Sequence, residues 1–129
     1  MTLVDTSIIV AWLDRNHDDH DKCRDALTAA LGKGPCAVSS VTFAELAAGG
    51  RTREAVDEEL EIFTRWELSF DEAWIAGMAF GRTYARKEKS GPVLPDFFIR
   101  AQAQARECMH LTNDHRRLAA FPQVEFVFA

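Results

Sequence analysis

Short β-rich runs alternate with longer stretches of helical periodicity along the whole chain, and this alternation limits the fold more than any other feature. "TLVD" reads as a strand followed at once by a short helix, "SIIVAWLD". A second helix is expected from His17 to Leu31, where Cys23, Leu27, Ala30 and Leu31 share a face. "CAVSS" is the next strand, with Ser39 or Ser40 capping the helix "VTFAELAAG" that stops at Gly49-Gly50. From Arg51 to Arg65 the pattern is acidic and amphipathic, with Val56, Leu60 and Phe63 on one stripe. "WELSF" follows as a strand, then a long helix from "DEAW" with Ala73, Gly77, Phe80 and Tyr84 facing the core and "RKEKSG" ending it. "LPDFFIRAQAQARE" is a helix with Pro95 at its start, "CMHLT" a strand, "NDHRRLAA" a short helix and "VEFVF" a last strand. Long crossovers between strands imply a mainly parallel sheet of about four to five strands, flanked on both faces by about seven helices. In such sheets ligands bind outside the carboxyl ends of the strands.

With 129 residues, 47% of them apolar, the chain has material for one core and one domain, residues 1–129. No apolar stretch approaches the roughly 20 residues that span a bilayer, and no charged-then-apolar leader opens the chain, so a cytoplasmic protein without membrane contact is expected. Cys23, Cys36 and Cys108 are widely spaced without a CxxC pair and read as buried free thiols. The net charge of −5 argues against nonspecific adhesion to nucleic acid but leaves room for a local basic patch.

Of the 20 acidic residues most lie in polar runs, such as Asp18, Asp19 and Asp21 or Asp57 to Glu61. Asp5, Glu45, Asp96 and Asp114 stand apart. Asp5, Asp96 and Asp114 each sit where a carboxylate caps or favours a helix start. Glu45 resists that explanation, because Val41, Glu45 and Ala48 fall on one helical stripe and no Lys or Arg is near in sequence. If the strands are parallel, all four reach one crevice. Carboxylates so gathered repel one another, and a divalent cation reverses the penalty; hard oxygen ligands select Mg²⁺ or Mn²⁺. His17, His20, His110 and His115 form no metal-binding spacing, and only His115 adjoins the proposed site.

"LVDTS", "SSVTFAEL", "LPDFFIRAQA" and "LTNDHRRL", taken in order, resemble the PIN domain, and more narrowly the VapC-type toxins of type II, VapBC-like toxin–antitoxin pairs. The resemblance runs over essentially the whole chain. It implies a three-layer PIN fold and an endoribonuclease that hydrolyses RNA with the help of Mg²⁺ or Mn²⁺. The acidic quartet of the family carries over onto Asp5, Glu45, Asp96 and Asp114, as metal ligands and catalytic residues. Ser7 and Thr112 match the small hydroxyl residues expected to orient a carboxylate, water or phosphate, with Asn113 beside them. Many relatives carry a further acid where this chain has His115, Arg116 and Arg117, so one tightly held ion is expected. Arg82, Arg86, Lys87 and Lys89, and separately Arg100, Arg116 and Arg117, are candidates to track RNA phosphates. The resemblance further implies a homodimer and a small VapB-like antitoxin partner, with Trp12, Phe43, Phe63 and Trp66 as candidate contacts or core. Two rival readings stay open here: a phosphatase or phosphotransferase with Asp5 as nucleophile, and a PIN-fold binding module of little activity.

Overall fold

The computed structural model describes residues 1–84 and 92–129. Its strands are β1 (Thr2–Val4), β2 (Cys36–Ser39), β3 (Thr64–Trp66), β4 (Met109–Thr112) and β5 (Phe126–Phe128). They form one sheet in the order β3-β2-β1-β4-β5, and each neighbouring pair is parallel. Parallel neighbours need long crossovers, and helices fill them. α1 (Thr6–Leu13) and α2 (His20–Lys33) link β1 to β2, and α3 (Ser40–Ala48) and α4 (Arg53–Glu59) link β2 to β3. α5 (Phe70–Tyr84) and α6 (Pro95–Ala105) lie between β3 and β4, and a 3₁₀ turn (Leu118–Ala120) precedes β5.

Strand side chains alternate between two faces, and each face has its own core. Val4, Cys36, Val38 and Leu111 pack with Ile8 and Ile9 of α1, Leu27 of α2, Leu46 of α3 and Val56 of α4. Leu3 and Ala37 point the other way, against Ala76 and Ala79 of α5 and Phe97, Ile99 and Ala101 of α6. The chain thus begins mid-sheet, covers one face, crosses, and covers the other. β1 is the point where the strand order reverses, and α1 and the loop after β4 leave from adjacent strand ends there.

Local chemistry sets the element boundaries. Ser39 caps α3 by accepting from Val41 N at 3.1 Å. Ser69 and Glu72 form a reciprocal capping box, Ser69 N to Glu72 Oε1 at 2.9 Å and Glu72 N to Ser69 Oγ at 3.1 Å. That box starts α5 at Phe70 and confines β3 to Thr64–Trp66, so the expected "WELSF" strand is displaced toward the N-terminus. α2 starts three residues later than its periodicity suggests, because His17 Nδ1 accepts from Asp19 N at 3.0 Å and holds a turn. The expected helix "NDHRRLAA" shrinks to the 3₁₀ turn, since Arg117 at φ 57° leaves the helical path. On α5 the buried stripe is Glu72, Ala76 and Ala79, not one centred on Ala73 and Gly77. Its "RKEKSG" end lies outside the described residues.

Phe63 is buried, and Trp12, Phe43 and Trp66 are half-buried against the two cores: Trp12 packs edge-on against Phe63, Arg65 lies over Phe43, and Arg106 lies over Trp66. Cys23 and Cys36 are buried free thiols, whereas Cys108 is only half-buried. The most exposed large apolar residues among those described are on α5, where Phe70 is 96% exposed and Trp74 73%, with Met78 on the same stripe; Ile62, Val10, Val127 and Phe128 are exposed elsewhere.

Phe97 stands at the centre of the second core, its ring 5.4 Å from both Phe80 and Phe121. Phe97→Ala is expected to lower stability in urea unfolding by about 3–5 kcal/mol through the cavity it leaves. Exposed Phe70→Ala is expected to stay within about 0.5 kcal/mol of the parent.

Candidate functional site

Parallel pairing of β1 with β4 sets two chain segments side by side, with Val4 opposite Leu111. Asp5 follows β1 directly and its backbone N–H donates to Leu111 O at 2.9 Å. Its side chain caps α1, accepting from Ser7 N at 3.3 Å. The same oxygen, Oδ2, also accepts from Ser7 Oγ at 2.6 Å and from Thr112 Oγ1 at 3.0 Å. Each hydroxyl has one proton, and both point it at Asp5. Their lone pairs then accept backbone N–H groups of the loop after β4, Asn113 N to Ser7 Oγ and Asp114 N to Thr112 Oγ1, each at 3.0 Å. Capping and a place in the site are therefore not rival roles for Asp5; one carboxylate does both.

All three of these hydrogen bonds fall on Oδ2, while Oδ1 stands 3.7 Å from His110 Nε2. His110 is fully buried on β4, and its Nδ1 lies 3.0 Å from Leu3 O, so Nδ1 carries the proton. Burial pushes its pKa down and keeps the ring neutral, and Nε2 has no hydrogen-bond partner among the described residues.

Glu45 approaches from α3. The buried face of that helix is Thr42 and Leu46, and Ala48 is exposed, so the stripe through Val41, Glu45 and Ala48 is not the core face. Glu45 lies half-buried beside it, with Oε1 accepting from Thr6 Oγ1 at 2.8 Å. The Thr6 proton being so used, Thr42 Oγ1 donates to Thr6 at 2.8 Å. Burial pushes the Glu45 pKa up; the Thr6 bond opposes this, and the charges of Asp5 and Asp96 add to it. Among the described residues no cation pairs with Glu45.

The other two expected acids are answered by arginines. Asp96, in the first turn of α6, accepts from Arg117 Nη2 at 2.9 Å and lies 3.4 Å from Arg100 Nη1. Asp114 takes a two-pronged contact from Arg116, Nε to Oδ1 and Nη2 to Oδ2, both at 2.9 Å. Those bonds hold its carboxyl down at about 2. All four carboxylates line one cavity of about 710 Å³, together with Ser7, Asn113, Arg116 and Arg117. Within it they are not yet a coordination cluster: among the described residues no three His, Cys, Asp or Glu side chains are gathered closely enough to hold a metal ion. The donor chemistry nevertheless fits a hard divalent cation. The set is all oxygen, and the raised Glu45 marks an excess of negative charge that a cation would relieve.

Several expectations need correction. Arg100 is not at the surface for RNA to meet. It is 1% exposed, and it donates to Arg116 O at 2.7 Å and Asp114 O at 3.2 Å, bracing the loop that carries Asp114. Arg116 is exposed but its guanidinium is on Asp114, and Arg82 is exposed on α5. Arg86, Lys87 and Lys89 lie outside the described residues. His115 stacks on Phe128 at 4.3 Å and does not line the cavity; His17 does, and His110 reaches Asp5. Asp19 also lines the cavity, accepting from Asn113 Nδ2 at 2.9 Å. Nothing in its acidic run distinguished Asp19 from Asp18 or Asp21; only the distant Asn113 does.

Glu45→Gln removes an unanswered charge and keeps an amide oxygen for Thr6. A raised folded pKa means the native state holds the proton more tightly, so wild-type stability falls as pH climbs from the ordinary carboxylate range through the raised value. In metal-free buffer the variant is expected to unfold at higher urea than wild type at neutral pH, with the gap closing below the ordinary carboxylate range. Equal midpoints at both pH values would show that the charge is harmless.

Residues 2–126 match the PIN domain family. Comparison with curated proteins gives no significant match. Among solved structures, VapBC2 from Rickettsia felis bound to a promoter DNA fragment contains a chain similar at TM-score 0.76 and 18% identity, over 99% of this chain and 98% of that one. A toxin–antitoxin complex from Klebsiella pneumoniae gives 0.64 and 26% identity, over 96% and 95%. VapBC-1 from nontypeable Haemophilus influenzae gives 0.74 and 14%, over 98% and 96%. At such identities the structures speak for the fold, and the family match, spanning nearly every residue, speaks for membership: this chain belongs to the PIN domain family.

Proposed function

We propose that this chain is a metal-dependent endoribonuclease and the toxin of a VapBC-like toxin–antitoxin pair, working in the cytoplasm. The observation that carries the reading is the convergence of Asp5, Glu45, Asp96 and Asp114, from four separate elements, on one open cavity rimmed by arginines. These four residues would hold Mg²⁺ or Mn²⁺. When bound, such an ion lowers the pKa of water and offsets the phosphate charge that bare carboxylates would repel.

The chain's own groups have distinct parts. Ser7 and Thr112 fix the Asp5 carboxylate, leaving Oδ1 on the side away from their hydrogen bonds. Asn113 ties Asp19 to the same loop. Arg116 stands at the cavity edge, 71% exposed in its side chain, where release from Asp114 would let it meet a phosphate. A single tightly held ion fits a site in which Asp96 and Asp114 are already paired with arginines.

The antitoxin partner is supported by the solved complexes, whose descriptions name VapBC and toxin–antitoxin pairs. For a second protein chain, a homodimer partner included, the exposed stripe Phe70, Trp74 and Met78 offers an apolar face of the kind contacts cover. Among the described residues no helix is long and apolar enough to cross a membrane.

Two measurements test the reading. Asp96→Asn, which keeps an acceptor for Arg117, is expected to lower RNA cleavage by more than about 100-fold, beyond what even outer partners of metal ligands contribute. Circular dichroism should show it folded, and undiminished cleavage would remove Asp96 from the mechanism. Mn²⁺ at a hundredfold excess over its Kd is expected to stabilise wild type by about 2.7 kcal/mol. Asp5→Asn should gain clearly less, and equal gains would place the ion elsewhere.

A further inference from the structure

Beside the acidic cavity lies a second one of about 420 Å³, a size at which small ligands are held. α5 supplies Ala79, Arg82 and Thr83 to its wall, and the segment around the 3₁₀ turn supplies Arg117, Ala119 and Pro122. Arg117 lines both cavities, so the two share a wall. Their charges are opposite in kind. The first is lined by five carboxylates, those of Asp5, Asp19, Glu45, Asp96 and Asp114; the second has two guanidinium groups and no described carboxylate.

Arg117 sits on that boundary at φ 57°, ψ 29°, a backbone conformation uncommon outside glycine, with its guanidinium on Asp96. Arg82 forms no ion pair or hydrogen bond among the described residues and is exposed at the groove. The rest of the described lining is small: Ala79, Thr83, Ala119, Ala120 and Pro122. Two cations beside small side chains suit a nucleotide, whose phosphate takes the charge and whose remainder meets no bulky group of the described lining.

An RNA strand has one phosphate per nucleotide, so a strand with one phosphodiester in the acidic cavity must place its neighbour close by. We propose that this groove is the subsite for the nucleotide next to the cleaved bond, with Arg82 and Arg117 holding its phosphate. The proposal rests on the ribonuclease reading and adds to it the direction in which substrate leaves the site: across Arg117 toward α5. It gives an acidic protein of net charge −5 a local means of holding RNA.

The test uses the full chain carrying Asp5→Asn to prevent cleavage, in fixed magnesium, with a short fluorescein-labelled oligouridylate followed by anisotropy across a range of KCl. Adding Arg82→Gln is expected to weaken binding severalfold and to reduce the slope of log affinity against log salt by about 0.7, the counterion share of one single-strand phosphate. Ala119→Glu, an exposed position, places a carboxylate in the groove and is expected to weaken binding at least as much. On the cleaving parent, Arg82→Gln should raise the RNA concentration giving half-maximal cleavage. Thermal unfolding of each variant serves as the control for folding. If wild type cleaves RNA while both variants keep the parent's affinity, salt slope and half-maximal concentration, the groove is not a subsite and the ribonuclease reading survives. If wild type neither cleaves nor binds RNA, the ribonuclease reading falls first and the subsite with it.

Discussion

Two hydroxyl protons organise this site. Ser7 and Thr112, 105 residues apart in the chain, both donate to one oxygen of Asp5 and both accept backbone N–H groups of the loop that follows β4. An alanine at either position would lose a donor to a nearly buried carboxylate and an acceptor for a backbone amide at once. Hydrogen bonds to charged groups are among the stronger ones in proteins. Here they fix which oxygen of Asp5 is held and which is left toward His110 and the cavity. The register of β1 against β4 makes the arrangement possible, since a slip of one residue would carry Thr112 to the other face of the sheet.

Around that anchor the charges divide in two. Asp5 and Glu45 are held by neutral hydroxyls and have no lysine or arginine partner among the described residues, whereas Asp96 and Asp114 are each met by an arginine. The buried Arg100 stands behind both of the latter, near the Asp96 carboxylate and bonded to the carbonyls of Asp114 and Arg116. Removing one member of such a buried pair leaves the other uncompensated, which is why this guanidinium belongs to the framework rather than to the surface. The asymmetry leaves the uncompensated carboxylates on the Asp5 and Glu45 side.

Much of this was legible in the sequence, for identifiable reasons. Asp5, Glu45 and Asp96 stood out as lone charges in their stretches and Asp114 as the acid that follows the apolar-to-polar switch after a strand, and the parallel topology that unites them follows from strand–helix alternation. The helix starts at Ser39 and Pro95 were readable from capping chemistry alone. What the sequence hid were partners supplied by distant segments. Arg100 follows Phe97, Phe98 and Ile99 in α6, and the loop folded over it, whose carbonyls it meets, explains how a guanidinium is buried there. His110 lies in a strand whose neighbours are known only once the sheet order is known, and Asp19 is one acid in a run until Asn113 reaches it. Helix and strand ends moved for the same reason at small scale: a capping box at Ser69 and a left-handed residue at Arg117 outweighed periodicity.

The position of β1 has a temporal consequence. β1 is the central strand, and its neighbour β4, residues Met109–Thr112, is made only after all of α1 to α6. While the protein is being synthesised, Asp5 has no Thr112 to orient it, and the pocket lacks two of its five carboxylates until Asp96 and then Asp114 have left the ribosome. An incomplete product, whether stalled or clipped upstream of β4, therefore has no assembled centre. A chain laid out in this order closes the acidic cavity only once the loop after β4 is in place.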